Sequence, residues 1–256
     1  MKTILITGAT SGIGRATATL LNQSLQCKLI LTGRRTNLLN ELKENLEAQS
    51  DNSIFTYSFD IQDLDACLNF WENLPNDLKV IDVLINNAGL AKGLDEIHRG
   101  SFEHWNQMID TNLKGLLHMT RLISPGMVER KSGHILNLGS TAGKETYPKG
   151  NVYNATKFGV EALTKAMRMD LYPYGVKVSS VSPGAVEDTE FSLVRFDGDA
   201  QRAKIYEDFK PLNANDVAEI IYFILTRPSH VNIQDVLVTS TQQGSAMLID
   251  RSGRKP

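Results

Sequence analysis

Short apolar runs alternate with longer helical patterns along almost the whole chain, and this alternation constrains the fold more than any other feature. The runs have the length of strands and read TILIT (3–7), KLILT (28–32), IFTYSFD (54–60), DVLIN (82–86), HILNL (134–138), VKVSSVS (176–182) and DVLVT (235–239). Strands that are apolar throughout are typical of parallel sheets covered by helices on both faces. The sequence therefore predicts a doubly wound α/β fold with a seven-stranded parallel sheet.

The segments between the runs carry apolar residues at helical spacing. They cover 15–23, 37–49, 102–130, 152–172 and 215–226. A chain of 256 residues that is 41% hydrophobic can bury one substantial core, so we expect a single domain over 1–256. The stretch 187–211 interrupts the rhythm after the sixth apolar run. It is predicted to be a substrate loop or lid at the ligand-binding edge of the sheet.

Composition argues against several other classes of protein. The net charge of −2 and the absence of a long basic block disfavour nucleic-acid binding, and the basic ending RSGRKP is interpreted as a solvated tail. The two cysteines form no CxxC and the five histidines no metal-binding spacing, so free thiols and no metal site are expected. No apolar stretch approaches the ~18 residues of a membrane span. The protein is expected to be soluble and cytoplasmic.

A glycine-rich turn, TGATSGIG (7–14), joins the first apolar run to the first helical pattern. Backbone N–H groups and the positive end of a helix make such a turn a site for a diphosphate. Its spacing is GxxxGxG and differs from the GxGxxG of the general dinucleotide fingerprint. The turn nevertheless favours a Rossmann-type three-layer α/β/α sandwich, with these cofactor contacts predicted: Gly8, Thr10, Ser11, Gly12, Ile13 and Gly14.

The second run is followed by GRR, at the position where NAD-binding proteins of this fold carry an acidic residue for the ribose hydroxyls. Gly33 stands in place of the acid, and Arg34 and Arg35 offer guanidinium groups to a 2'-phosphate. The missing acid favours NADP(H) over NAD(H) as cofactor.

The stretch YNATK places Tyr153 and Lys157 four residues apart, on one face of a predicted helix. A phenol is a poor acid or base at neutral pH, but a nearby ammonium favours its ionised form. The spacing alone is weak, because a solvated helix face often carries it. Ser140 follows another strand at the same sheet edge, where its hydroxyl could hold a carbonyl oxygen. Asn112 and the NNAG stretch (86–89) add amides nearby.

Together these motifs resemble the short-chain dehydrogenase/reductase family over nearly the whole chain. The resemblance rests on TGxxxGIG, Asp60-Ile61, NNAG, Asn112, Ser140, YxxxK and the Pro183-Gly184 turn. It implies that Tyr153 is the general acid/base, that Ser140 orients the substrate oxygen, and that Lys157 tunes the tyrosine and binds the nicotinamide ribose. Asn112 would hold a water of the proton relay. Further cofactor contacts implied in this way are Asp60, Ile61, Asn87, Ala88, Gly89, Pro183, Gly184, Val186 and Thr189. A homotetramer is also implied, with apolar interfaces on the helices that start near 102 and 152.

A finer resemblance, carried above all by PGAVEDTEFSLVRF (183–196), points to the subgroup of NADP-dependent 3-hydroxy acid dehydrogenases that oxidise L-allo-threonine and serine. A carboxylate substrate needs a cation. Arg195 is the hypothesis, with Lys144 and a merely solvated Arg195 as alternatives. The substrate is expected to be a small hydroxy acid or the corresponding carbonyl compound.

Two rival functions are left open by the sequence. The first is a broad NADPH carbonyl reductase or 3-oxoacyl reductase with the same catalytic residues. The second is a regulator that binds NADP without catalysis, which the complete set of Ser140, Tyr153, Lys157 and Asn112 disfavours.

Overall fold

The computed structural model describes residues 1–187, 189–202 and 208–253. Its centre is one sheet of seven parallel strands in the order β3-β2-β1-β4-β5-β6-β7. The strands are β1 (Lys2–Thr7), β2 (Cys27–Gly33), β3 (Ser53–Ser58), β4 (Val83–Asn86), β5 (Gly133–Leu138), β6 (Val176–Pro183) and β7 (Asp235–Val238). The predicted seven-stranded parallel sheet is confirmed.

Eight α-helices lie in the described parts of the chain. They are α1 (Gly12–Ser24), α2 (Thr36–Glu47), α3 (Leu64–Asn73), α4 (Phe102–Ile109), α5 (Leu116–Glu129), α6 (Asn151–Leu171), α7 (Phe191–Arg195) and α8 (Ala214–Leu225). None of the described helices is long and apolar enough to cross a bilayer.

Alternate residues of each strand point to opposite faces of the sheet, and both faces are buried in the five central strands. In β1, Ile4 and Ile6 join a core cluster with residues of α1, α2 and α8. Leu5 of the same strand joins a second cluster with residues of α3, α5 and α6. Burial on both faces is why the strands are apolar at consecutive positions. The three layers are those predicted.

Three helical regions differ from the sequence prediction, and one of them is the short helix α7 within the predicted lid. The single helix predicted over 102–130 is two helices, α4 and α5, joined by one wide turn of π-helix at Asp110–Gly115. Helix α3 was not predicted, although Asp63 caps its first turn by accepting hydrogen bonds from the backbone N–H of Asp65 and Ala66. An acidic N-cap followed by apolar residues was the signal for this helix.

The order of the strands also places the binding site. Strand β1 has β2 on one side and β4 on the other, so the chain reverses its direction of winding between β1 and β4. In open α/β sheets, ligands bind in the crevice beyond the carboxyl ends of the strands at this reversal. The glycine-rich turn follows β1, and the NNAG stretch follows β4, so both border that crevice.

Candidate active site

The glycine-rich turn is built around two residues with left-handed backbone. Gly8 has a φ of +66° and Gly12 a φ of +52°. Residues other than glycine adopt these values only at an energetic cost. A Cβ on Gly14 would clash with the carbonyl oxygen of Gly8, so this glycine lets α1 start directly against the strand. Asn87 braces the turn from β4, because its Nδ2 donates to the carbonyls of Thr7 (2.8 Å) and Gly8 (3.0 Å).

The GRR stretch at the end of β2 brings two guanidinium groups to the same end of the crevice. Arg35 Nη2 donates to Thr10 Oγ1 at 2.9 Å and to Ser11 Oγ at 3.1 Å, so it lies against the glycine-rich turn. Arg34 is more exposed and faces Asp60 Oδ2 at 3.5 Å. Cations therefore stand next to the predicted diphosphate site, as a 2'-phosphate requires.

One cavity of about 550 Å³ runs along the carboxyl edge of the sheet and joins this end to the YNATK stretch. Its wall includes all but two of the residues predicted for cofactor, catalysis and substrate: Gly8, Thr10, Ser11, Gly12, Ile13, Arg34, Arg35, Asp60, Ile61, Asn87, Ala88, Gly89, Ser140, Tyr153, Lys157, Pro183, Gly184, Val186, Thr189 and Arg195. The two residues outside the wall are Gly14 and Asn112. From Arg34 to Arg195, the predicted cofactor and substrate residues therefore line one continuous groove.

At the far end, α6 presents Tyr153 and Lys157 on one face, as the spacing predicts. Both are almost fully buried, at 7% exposure each. Lys157 Nζ donates to the carbonyl oxygen of Leu138 at 2.8 Å, at the last residue of β5. Burial lowers the pKa of the Lys157 ammonium to about 8, and the negative charge of Glu161 opposes this effect. Lys157 is thus held in place and still mostly charged at neutral pH.

Ser140 lies two residues beyond Leu138 and opens a short turn, Thr141–Gly143. Its Oγ accepts a hydrogen bond from the backbone N–H of Ala142 at 3.1 Å. The serine hydrogen is therefore available for a second partner, such as a substrate oxygen on the cavity side.

Asn112 lies in the π-helical turn, behind the cavity wall. Its Oδ1 accepts from the backbone N–H of Leu90 at 2.9 Å, and its Nδ2 donates to Leu90 O and to Thr156 Oγ1. The amide thus ties the segment after β4 to α6. A Cβ on Gly89 would approach both Asn112 Oδ1 (3.2 Å) and Lys157 Nζ (3.6 Å), so the amide is one glycine away from the ammonium. The role as a water ligand stays a prediction.

The lid candidate folds over Tyr153. The Arg195 side chain is 6% exposed, with its guanidinium 5.7 Å from the Tyr153 ring and 5.6 Å from the Tyr147 ring. Its Nε donates to Gly93 O at 3.2 Å and its Nη2 to the Tyr147 hydroxyl at 3.1 Å. The alternative of a solvated Arg195 is wrong. Part of the predicted lid, at 188 and 203–207, lies outside the described residues.

Lys144, the other candidate for a substrate carboxylate, is already engaged. Its Nζ lies 2.7 Å from Glu161 Oε2 and 2.6 Å from Asp235 Oδ2, and it is absent from the cavity wall. These two acids satisfy its charge, which disfavours Lys144 as the carboxylate ligand.

Several wall residues were missed by the sequence analysis. Glu190 pairs with Arg35 across the cavity, and Gln243 closes one side by accepting from the N–H of Ala185 at 2.8 Å. Arg251, assigned from the sequence to a solvated tail, also lines the cavity and pairs with Asp208. The remainder of that tail, 254–256, lies outside the described residues. No local pattern marks these residues, because each acts across a long sequence separation.

Comparison with known proteins identifies the family to which this site belongs. The short chain dehydrogenase family model matches residues 2–198. The chain belongs to the short-chain dehydrogenase family. In this short-chain dehydrogenase the matched segment holds the glycine-rich turn, Ser140, Tyr153 and Lys157, together with α7.

Relatives of this short-chain dehydrogenase match over nearly their whole length. The NADP-dependent 3-hydroxy acid dehydrogenase YdfG of Salmonella typhi is 43% identical over 97% of this chain and 99% of its own. An NADP-dependent 3-hydroxy acid dehydrogenase of Schizosaccharomyces pombe is 43% identical over 96% and 95%. Among solved structures, the closed form of serine dehydrogenase complexed with NADP+ has a TM-score of 0.91 and 42% identity, covering 96% of this chain and 98% of that one.

Proposed function

We propose that the protein is an NADP-dependent oxidoreductase that oxidises the 3-hydroxyl group of small 3-hydroxy acids of the serine and L-allo-threonine type, or reduces the corresponding carbonyl. The observation that carries this proposal is the position of Arg195, buried in the same cavity with its guanidinium 5.7 Å from the ring of Tyr153. A cation beside the catalytic phenol suits a substrate in which a carboxylate lies two carbons from the reacting hydroxyl.

The described residues fit NADP(H). The glycines with left-handed backbone and the N-terminus of α1 suit a diphosphate. Arg34 and Arg35 suit a 2'-phosphate. When bound, the nicotinamide accepts or supplies the hydride. The two relatives named NADP-dependent and the serine dehydrogenase solved with NADP+ support this choice.

In oxidation, Tyr153 takes the proton of the substrate hydroxyl while the carbon that bears it gives up a hydride. Ser140 holds the substrate oxygen by a hydrogen bond, and its own Oγ is fixed by Ala142. Lys157 stabilises the ionised phenol by its charge and is fixed by Leu138. Oxidation of serine in this way yields a 2-amino-3-oxo acid, a type of compound that loses carbon dioxide readily.

Arg195 would hold the carboxylate of the substrate. Its Nε and Nη2 are bound to Gly93 and Tyr147, which fixes the plane of the guanidinium. A fixed fork recognises a carboxylate with less loss of side-chain freedom than a mobile one.

A substrate panel tests the proposal, with serine, L-allo-threonine, 3-hydroxybutyrate and a diketone measured against NADP and NAD side by side. The expected result is the highest kcat/KM for a 3-hydroxy acid with NADP. A diketone or 3-oxoacyl compound as the best substrate would favour a broad NADPH reductase instead. Turnover of none of these compounds, together with NADPH binding, would favour a regulator.

Three variants sharpen the panel. Arg195→Met should lower kcat/KM for serine by about 10- to 100-fold, the loss of a hydrogen bond between charged groups, and leave the diketone much less affected. Arg202→Met is the matched control, because Arg202 is an exposed lid arginine stacked on Phe196 at 4.6 Å, outside the cavity wall. Equal losses for serine and the diketone would reject the carboxylate role. Tyr153→Phe should abolish turnover and keep NADPH binding.

The homotetramer and the cytoplasmic location stay predictions. Phe102 on α4, Leu117 on α5 and Phe158 on α6 are exposed by 77%, 42% and 41%, which supports apolar interfaces on these helices. Measurement of the mass in solution would test the assembly.

A further inference from the structure

A buried acid lies one helical turn beyond the catalytic lysine. Glu161 follows Lys157 by four residues on α6, so Tyr153, Lys157 and Glu161 form one stripe along the helix. Glu161 is only 5% exposed. Its Oε1 accepts from Ser182 Oγ at 2.8 Å, and its Oε2 accepts from Lys144 Nζ at 2.7 Å. A buried carboxylate of this kind is costly and persists only with such partners.

The acid belongs to a chain of alternating charges that starts at the surface. Asp235, on β7, is 43% exposed and pairs with Lys144, whose other partner is Glu161. Ser180 Oγ donates to the second oxygen of Asp235 at 2.9 Å. The charges therefore alternate from negative Asp235 to positive Lys144 to negative Glu161. The next charge toward the cavity is the positive Lys157 ammonium.

Lys157 and Glu161 hold neighbouring residues of the same segment. Lys157 Nζ donates to Leu138 O, whereas a Cβ on the next residue, Gly139, would lie 2.7 Å from Glu161 Oε1. A Cβ on Gly143 would lie 2.7 Å from the backbone carbonyl of Lys157 and 3.2 Å from Glu161 Cγ. Because Gly139 and Gly143 have no side chains, the Glu161 side chain packs directly against the backbone near Lys157. Ser140 follows Gly139 directly.

The buried ammonium needs a counter-charge. Burial in apolar surroundings disfavours the charged form of a lysine, and the pKa of Lys157 is lowered to about 8 even with Glu161 acting in the opposite direction. Without the acid, a larger fraction of Lys157 would be neutral near pH 7. A neutral amine would no longer stabilise an ionised phenol or make charged hydrogen bonds to a ribose.

We propose that Glu161 is a positioning residue for the reaction, which acts through Lys157 by keeping the buried ammonium charged and, with Ser182, by fixing the segment that carries Ser140. The proposal rests on the function proposed above. It differs from the assigned roles because Glu161 is absent from the cavity wall and touches neither substrate nor cofactor there.

Charged and polar groups reach this region from every packed element. Tyr153 lies one turn away on α6, Asn112 faces Gly89 from the π-helical turn, and Ser182 comes from β6. Two described cations repel the Lys157 ammonium: Arg195 lies beside Tyr153 in the cavity, and Lys144 enters from the turn after β5, where it is shared between Glu161 and Asp235. Lys144, Glu161 and Asp235 together carry a net negative charge, which favours the charged form of Lys157.

The variant Glu161→Gln tests the proposal, because it removes the charge and keeps the shape and a partner for Ser182. NADPH binding, followed by nicotinamide fluorescence from pH 6 to 9.5, should weaken as Lys157 loses its proton. The midpoint of this loss should move to lower pH by at least about one unit, the lower end of the effect of a close charge. The kcat for the best substrate should fall at pH 7, and the deficit relative to the parent should shrink at lower pH, where Lys157 regains its proton.

Asp170→Asn is the matched control, since Asp170 is an exposed acid at the other end of α6. It should leave the midpoint unchanged. An unchanged midpoint in folded Glu161→Gln, shown by the same thermal transition as the control, would overturn the proposal. If Glu161→Gln does not fold, Lys144→Met replaces it, and a midpoint shifted to higher pH supports the proposal whereas an unchanged one overturns it.

The two proposals can fail separately. Absence of turnover in the parent protein would reject the dehydrogenase function, yet the midpoint of NADPH binding would still report on Glu161. If the parent enzyme turns over normally but the pH midpoint of NADPH binding is unchanged in Glu161→Gln, only the role of Glu161 is rejected.

Discussion

Arg35 and Glu190 form a two-point ion pair across the mouth of the cavity, with Nη1 to Oε1 at 2.9 Å and Nη2 to Oε2 at 2.7 Å. Arg35 belongs to the segment after β2, and Glu190 directly precedes α7 in the lid candidate. The guanidinium and the hydroxyl of Ser11 lower the pKa of the Glu190 carboxyl. The pair therefore joins the expected 2'-phosphate site to the lid by charge.

Glu190→Gln should strengthen the binding of NADPH, because the carboxylate competes with the 2'-phosphate for Arg35. The gain should reach up to about fivefold, since a half-exposed ion pair contributes at most about 1 kcal/mol. Binding of NADH should change little. Titration with both nucleotides measures the effect, and weaker NADPH binding would mean that Glu190 instead orients Arg35 for the phosphate.

Gly14→Ala should damage the cofactor site. The new methyl group would meet Gly8 O and, at 2.5 Å, Asn87 Nδ2, which both belong to the frame of the turn. We expect a loss of about 1–3 kcal/mol in the free energy of unfolding, as for other overpacked sites, and a large loss of NADPH binding. Gly126→Ala in α5 is the control, where the methyl group meets only the end of the Arg130 side chain and helix propensity should raise stability. Equal behaviour of the two variants would contradict the role of Gly14.

Lys157→Met should abolish turnover but stabilise the fold. Burial lowers the pKa of Lys157 to about 8 from an ordinary 10.5, so the folded state bears a cost at pH 7 that the variant lacks. The fall in pKa corresponds to about 3 kcal/mol, and the Leu138 carbonyl left without its donor offsets about 1 kcal/mol, so the free energy of unfolding should rise by about 2 kcal/mol at pH 7. As pH rises from 8 to 10.5 the folded parent loses the proton first, so the difference should shrink. Urea unfolding at pH 7 and pH 9.5 tests this sign, and a variant that is less stable at pH 7 would refute it.

His134→Gln should reduce the sensitivity of the fold to acid. His134 is buried in β5, its Nε2 is 2.8 Å from Ser179 Oγ, and burial, aided by Lys177 and Lys2, lowers its pKa to about 3. Between pH 6.5 and 3 the unfolded chain binds a proton that the folded chain does not, so stability falls as pH falls, by about 1.4 kcal/mol per unit. The midpoint of thermal unfolding between pH 4 and 7 should vary less in the variant. Parallel curves for variant and parent would contradict this.

The sequence was sufficient for features set by short-range spacing. Seven apolar runs became seven parallel strands, and in the five central ones burial on both faces leaves no room for alternation. Tyr153 and Lys157 share a face of α6 because a helix brings residues four apart together.

Features that depend on distant residues could not be predicted. Arg35 and Glu190 are 155 positions apart, and only the closed fold brings them together. The solvated alternative for Arg195 failed because Tyr147, Tyr153 and Gly93 surround it, and no local pattern announces those neighbours. The π-helical turn at Asp110–Gly115 was hidden because one extra residue in a turn hardly disturbs a helical pattern of apolar positions.

Helix α7 is only five residues long, and its two flanks touch opposite ends of the groove. Just before the helix, Thr189 lies so close to Gly12 that a Cβ on this glycine would be 3.1 Å from the Thr189 side chain. At the end of the helix, the Arg195 guanidinium lies over the ring of Tyr153. The consequence is kinetic. If one short helix closes both ends, the substrate is expected to enter after the nucleotide and to leave before it, in a compulsory order. Product-inhibition patterns would reveal this order, and a random pattern would indicate that the two ends open independently.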